Sequence, residues 1–207
     1  MSNVINLRLI NRSNDVNNTS YVIFQKNVST TFEELAVAWR VIQNLDVGEY
    51  HPFTYSDNLQ VAASDSWGNY TFPLDAKYGL MYQMLRNPSG DQLAQKGEAA
   101  GPREIDVKNS LPEGSMNALC YRDDKVLAMK TSIAPEQKAT FEFKPTIFIG
   151  AVSQVEEGEI MNSAILSNIN TEISLLGIQS ADIIITGGGS GPSSTEFQFT
   201  LENVKFA

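Results

Sequence analysis

Along much of this chain apolar and polar side chains alternate one for one, the period of a strand with one dry face and one wet face. Near the start, Ile5, Leu7 and Leu9 fall on one side and Asn6 and Arg8 on the other. A polar stretch from Asn11 to Ser20 follows, rich in side chains that bond to their own backbone in turns, and 21–26 returns as a second strand. Near the other end the branched run Ile183-Ile184-Ile185 leads through a glycine-rich loop, 187–194, into an alternating segment with Phe197, Phe199 and Leu201 in phase. Beyond Glu202 the apolar phase shifts to Val204 and Phe206, which predicts a bulge near Asn203 or a strand buried on both faces.

Between these ends the same pattern predicts strands at 59–63, 69–72 and 80–86, with Asn87-Pro88-Ser89-Gly90 as a turn. Ile105 and Val107 alternate with charged neighbours, and Asp123-Asp124 reads as a hairpin turn between 119–121 and 125–129. Phe141 and Phe143 form another strand, broken by Pro145, which cannot donate to a ladder; 146–152 resumes, and 173–178 leads to the closing pair. Residues 31–44 fit both a helical stripe and alternation, so one helical turn at 31–35 followed by a strand is expected, and 159–170 reads as a short helix. The fold expected is all-β, a sandwich or jelly-roll-like arrangement of about twelve strands with at most one or two short helices. It spans 1–207 as a single β domain, with a candidate internal boundary at the small, polar, breaker-rich stretch 95–103. No strong internal repeat is legible: Phe141-Glu142-Phe143 echoes Phe197-Gln198-Phe199, but alternating strands produce such echoes freely.

Composition narrows the function classes. With 42% apolar and 19% charged residues, the chain has enough apolar surface to fold without crosslinks, and no apolar run approaches the length of a spanning helix. A formal charge of −9 and scattered Lys and Arg oppose nucleic acid and anionic lipid as partners. The first ten residues lack the pattern of a signal peptide, so cytoplasmic synthesis is the expectation, with release by a route lacking a cleaved signal as the alternative. The five Asn-x-Ser/Thr triplets, headed by Asn11, Asn17, Asn18, Asn27 and Asn69, are what such a composition produces by chance.

Candidate chemistry is sparse. Cys120 is the single cysteine, which excludes an intramolecular disulfide and a cysteine zinc cage, and its apolar neighbours make it a small buried hydrophobe. His51, the single histidine, lies in Glu49-Tyr50-His51-Pro52-Phe53 with nothing around it to mark a general base. The glycine loop lacks the Lys-Ser/Thr pair of a phosphate-binding loop and carries Pro192 where a dinucleotide fingerprint has glycine. Asp57, Asp65 and Asn69 offer oxygens for calcium without matching a standard loop. Neither a catalytic residue, a metal site nor a cofactor is expected. The informative stretch lies within 50–82, which holds eight of the nineteen aromatics. In Asp65-Ser66-Trp67-Gly68-Asn69-Tyr70, aromatic faces sit beside carboxylate and amide groups. That composition suits a sugar ring, whose C–H face stacks while its hydroxyls bond; the competing expectation is that Trp67 and Tyr70 close the end of the core. The function expected first is a non-enzymatic structural or interaction protein that self-associates into a homo-oligomer, because long alternating strands with few basic residues leave edges open. The alternatives are a carbohydrate-binding, lectin-like module using Asp65, Trp67, Asn69 and Tyr70, and a membrane-acting β protein using the aromatics of 50–82.

Overall fold

The computed structural model describes residues 4–29, 36–167, 169 and 171–207, so the helical turn expected at 31–35 lies outside the described residues. The fold is all-β. In chain order its strands are β1 (Val4–Asn11), β2 (Ser20–Phe24), β3 (Arg40–Ile42), β4 (Tyr50–Ser56), β5 (Leu59–Asp65), β6 (Leu74–Ala76), β7 (Leu80–Asn87) and β8 (Gly90–Glu98). They continue as β9 (Ile105–Asn109), β10 (Met116–Arg122), β11 (Lys125–Ile133), β12 (Lys138–Phe141) and β13 (Thr146–Val152), and then β14 (Thr171–Ser174), β15 (Ile178–Gly188) and β16 (Thr195–Phe206). The sixteen strands among the described residues exceed the expected twelve; the alternation is obscured in β4 by Pro52 and in β8 by its many exposed residues, and β6 is only three residues long. The helix expected at 159–170 shrinks to α1 (Ser163–Ser167), capped by Asn162, whose Oδ1 accepts from Ile165 N at 3.0 Å. Its predicted first turn is extended instead, because Ala38 N donates to Glu159 O and Met161 N to Ala36 O.

The chain divides into two compact units, one formed by Met1–Lys26, Leu35–Asp57 and Pro145–Ala207, the other by Asn27–Glu34 and Asn58–Lys144. Each contains two four-stranded sheets. In the first unit they run β16-β15-β1-β4 and β14-β13-β2-β3. Ile5, Leu7 and Leu9 of β1 are buried, as the alternation requires, and Tyr21 of β2 meets Phe197 and Phe199 of β16 edge-on at 5.9 and 6.1 Å. The run from Tyr21 to Phe24 is apolar throughout because its sheet is covered on both faces: Val22 and Phe24 pack with Ala38, Val155, Met161 and Ile169 from the long segment between β13 and β14. The bulge expected near Asn203 is present: Ser180 pairs with Lys205 but Asp182 with Glu202, and Asn203 has φ +50°. In the second unit the sheets run β12-β9-β7-β8 and β11-β10-β5-β6. Asp123 and Asp124, both at positive φ, form the β10–β11 turn as expected.

Both units have the same topology. In each, a hairpin (β15–β16, β7–β8) joins a third strand in parallel (β1, β9), which pairs antiparallel with a fourth (β4, β12). The second sheets correspond likewise, β14-β13-β2-β3 to β6-β5-β10-β11, all antiparallel. The chain is therefore a tandem repeat, β1–β8 followed by β9–β16, in which the halves are exchanged: β1–β4 assemble with β13–β16, and β9–β12 with β5–β8. The stretch 95–103 contains the junction between repeats, and the passages between units lie elsewhere, notably after Asp57 and Lys144.

Hydrogen bonds repeat with the strands. At the end of β1, Asn11 Oδ1 accepts from Ser13 N and its Nδ2 donates to Leu45 O; at the end of β9, Asn109 Oδ1 accepts from Leu111 N and its Nδ2 donates to Ile133 O. Asn11 N donates to Glu49 O and Gly48 N to Asn11 O, as Asn109 N does to Gln137 O and Glu136 N to Asn109 O. Gly48 and Glu136 both adopt positive φ, at +92° and +67°. Arg12 N reaches Ile185 O of β15 and Ser110 N reaches Met84 O of β7. These bonds escape a residue-by-residue search because most are backbone bonds.

Two outcomes follow. Asn109 is fully buried, so Asn109→Ala removes its side-chain bonds and costs about 1–3 kcal/mol, read as a lower urea midpoint. Cutting the chain at a protease site placed within 99–104 leaves two fragments that co-elute under native conditions and separate only in denaturant, since each unit holds strands from both.

Candidate functional site

The connection from β5 to β6 is built by the carboxylate of Asp65, the last residue of β5. Its Oδ1 accepts from the backbone N–H of Trp67 at 2.8 Å and of Asn69 at 2.9 Å, and its Oδ2 from Asn69 Nδ2 at 2.8 Å. Asp65 N donates to Asn69 O at 3.0 Å, and Gly68 takes φ +85°, a conformation open to glycine at little cost. Tyr70 bridges back to Ser64, and Thr71 N donates to Ala63 O, so 69–72 leaves the loop extended although only that bridge carries the expected strand. Asn69 and the loop amides hold the Asp65 carboxyl below the usual carboxylate range.

This framework presents its aromatics to solvent. Trp67 is 88% exposed, Tyr70 65% and Phe72 91%, so the expectation that Trp67 and Tyr70 close the core is not met. The physical reason is the tight Asp65 ring of hydrogen bonds, which turns the chain within a few residues. The four residues singled out from sequence come together with divided roles. Asp65 and Asn69 spend their polar atoms on each other and on the loop backbone and act as positioning residues, whereas Trp67 and Tyr70 form the surface. Phe72 belongs with them and is visible in the sequence as the next aromatic in the alternation.

Beside the aromatics lies an open cleft of about 450 Å³ lined by Asp65, Asn69, Tyr70, Arg86, Ser89 and Asp91. Arg86 donates from Nε and an Nη to Asp91 at 2.9 and 3.3 Å, and its other Nη lies 3.9 Å from Glu113. Hydroxyls presented to this cleft would find carboxylate, guanidinium and amide groups beside the Tyr70 ring.

The corresponding connection in the first unit differs. Between β13 and β14 the chain runs over 153–170, and Val155, Met161 and Ile169 enter the core. One of the two corresponding connections is thus packed inward, while the other displays its large side chains.

The other candidates lie apart from this loop. A Cβ at Gly187 would lie 2.0 Å from Glu196 O and one at Gly188 2.8 Å from the Phe197 ring, so both glycines serve the close crossing of β15 and β16. Cys120 is buried and its thiol is pushed up to about 12 by desolvation, which makes it inert at neutral pH. His51 is exposed on β4, opposite Leu9. Asp65 and Asn69 bond to each other, and among the described residues no three His, Cys, Asp or Glu side chains converge as a metal group. No described helix is long and apolar enough to cross a membrane. Comparison with protein families, curated proteins and solved structures finds no match.

The Asp65 ring ties loop order to pH. Because folding lowers the carboxyl pKa, its contribution is present above the unfolded value near ~3.9 and is lost as pH falls through the folded value. Protection factors at the Trp67 and Asn69 amides, with the pH-dependent intrinsic rates divided out, should therefore fall selectively on acidification, and Asp65→Ala should show the low protection already at neutral pH.

Proposed function

We propose that this chain is a non-enzymatic recognition protein that binds carbohydrate on the Asp65–Phe72 loop. One observation carries the reading: Trp67, Tyr70 and Phe72 are all largely exposed within six residues, on a loop braced by Asp65 and Asn69 and bordered by a polar cleft. Large aromatics displayed together lose the benefit of burial, which a stacked sugar face restores, and the neighbouring polar groups satisfy hydroxyls. Arg86 is paired with Asp91, and Asp65 adds a further negative charge, so the cleft favours neutral over acidic saccharides.

Self-association draws less support from the edges than the sequence pattern suggests. The long edge strands β8, β11 and β16 carry Lys96, Lys125, Lys130 and Lys205, and β16 also has its bulge, devices that discourage strand-to-strand pairing.

A glycan array read with the whole chain and with Trp67→Ala tests the proposal. Binding to a subset of neutral glycans, weakened about tenfold or more by Trp67→Ala, is expected. Absence of signal on every glycan would remove the reading, and co-sedimentation with zwitterionic liposomes in its place would assign the aromatics to a lipid surface.

A further inference from the structure

The Asp65–Phe72 loop displays more apolar surface than one sugar ring can cover. A pyranose presents a C–H face comparable in size to a single aromatic side chain, so each ring stacks on one aromatic at a time. Trp67, Tyr70 and Phe72 are 88%, 65% and 91% exposed. Of the three, Tyr70 borders the cleft of about 450 Å³, whereas Trp67 and Phe72 lie outside its lining. A ligand confined to the cleft would leave both in water.

The backbone that carries these side chains is tied down on both sides. The N–H groups of Trp67 and Asn69 share one oxygen of Asp65, at 2.8 and 2.9 Å, which keeps the two ends of the turn together. Beyond it Tyr70 bridges to Ser64, Thr71 N donates to Ala63 O at 2.8 Å, and Thr71 Oγ1 accepts from Ala63 N at 3.0 Å. Phe72 precedes Pro73, whose ring favours extended backbone at the residue before it. Two residues of extended chain advance roughly 7 Å, so Tyr70 and Phe72 are spaced on the scale of neighbouring rings in a linear glycan. Because this backbone is ordered before any ligand arrives, binding has little beyond the aromatic side chains left to fix, and each added contact contributes more fully to affinity.

We propose that the ligand of this loop is a linear, neutral oligosaccharide of three or more units, one ring stacked on Tyr70 with its hydroxyls in the cleft and neighbouring units on Trp67 and Phe72. The inference rests on the carbohydrate reading above and adds the length and form of the ligand. Once one ring is seated, the linkage presents the next to the remaining aromatics at high effective concentration, so affinity grows with chain length until all three are occupied. The Arg86 guanidinium lies among the carboxylates of Asp91, Glu113 and Asp65, which leaves no surplus positive charge for an acidic sugar.

NMR titration of the whole chain with glucose, mannose and xylose, and with the β-1,4-linked hexasaccharide of each, tests the inference. The exposed Trp67 indole N–H and the Phe72 ring are the reporters, the other tryptophan, Trp39, being buried. In at least one series the hexasaccharide is expected to bind about tenfold or more tighter than the monosaccharide and to shift both reporters. Phe72→Ala should remove much of that gain and leave monosaccharide binding unchanged, and Phe72→Tyr, which keeps the ring, should retain it. Equal affinity for monosaccharide and hexasaccharide, or a Phe72→Ala variant that binds the hexasaccharide as wild type does, would overturn the extended ligand and leave carbohydrate binding standing. Absence of any shift with every saccharide would overturn the carbohydrate reading itself, and this inference with it.

Discussion

Parallel strands cannot be joined by a tight turn, and the molecule is arranged around its two parallel pairs, β1 with β15 and β9 with β7. Each pair joins strands from opposite repeats. Leu9 lies beside Ile183, and Val107 beside Tyr82, all buried, so the registers are fixed by apolar faces that a one-residue slip would expose. Asn11 and Asn109 then lock the ends of β1 and β9 to the turns before β4 and β12, and the next residue in each case bonds to β15 or β7. Through these bonds four strands from each half close into one unit. The exchange makes the two repeats interdependent without any crosslink.

The two units share a topology but differ in one connection. The connection after β13 carries Val155, Met161 and Ile169 into the core, whereas its counterpart after β5 is tied into a short loop by Asp65 and leaves its aromatics outside. The outer faces of the corresponding sheets diverge similarly in charge. Arg8 of β1 reaches Asp182, while at the matching position of β9 Asp106 is buried against Lys138 and Thr140 of β12. A buried carboxylate with a cationic partner recurs, but the partner comes from a different strand and the sign at the equivalent position is reversed. Desolvating either carboxylate alone would be costly, so each pairing restrains later change at its face.

Period-two alternation made the all-β class, the first and last strands, the Asp123-Asp124 turn and the Asn203 bulge legible, because those features follow from side-chain phase within a few residues. The repeated topology was not legible. Leu9 corresponds to Val107 and Phe53 to Phe141, but β1 is longer than β9 and the β13–β14 connection has outgrown the β5–β6 loop, so spacing drifts and the shared backbone bonds leave no residue signature. The breaker-rich stretch 95–103, read from sequence as a candidate boundary, lies within the second unit, and the divisions between units depend on pairings such as β1 with β15, far apart in the chain and beyond local pattern. The candidate loop was legible from its aromatics and acids. Composition left its exposure undetermined, since the same residues pack inward when no Asp65-type ring turns the chain.

The exchange of halves is the claim on which the rest stands, and nuclear Overhauser contacts test it directly. Side-chain contacts of Leu9 with Ile183 and of Val107 with Tyr82 are predicted. Contacts of Leu9 with Tyr82 and of Val107 with Ile183 would place each repeat in its own unit and contradict the account.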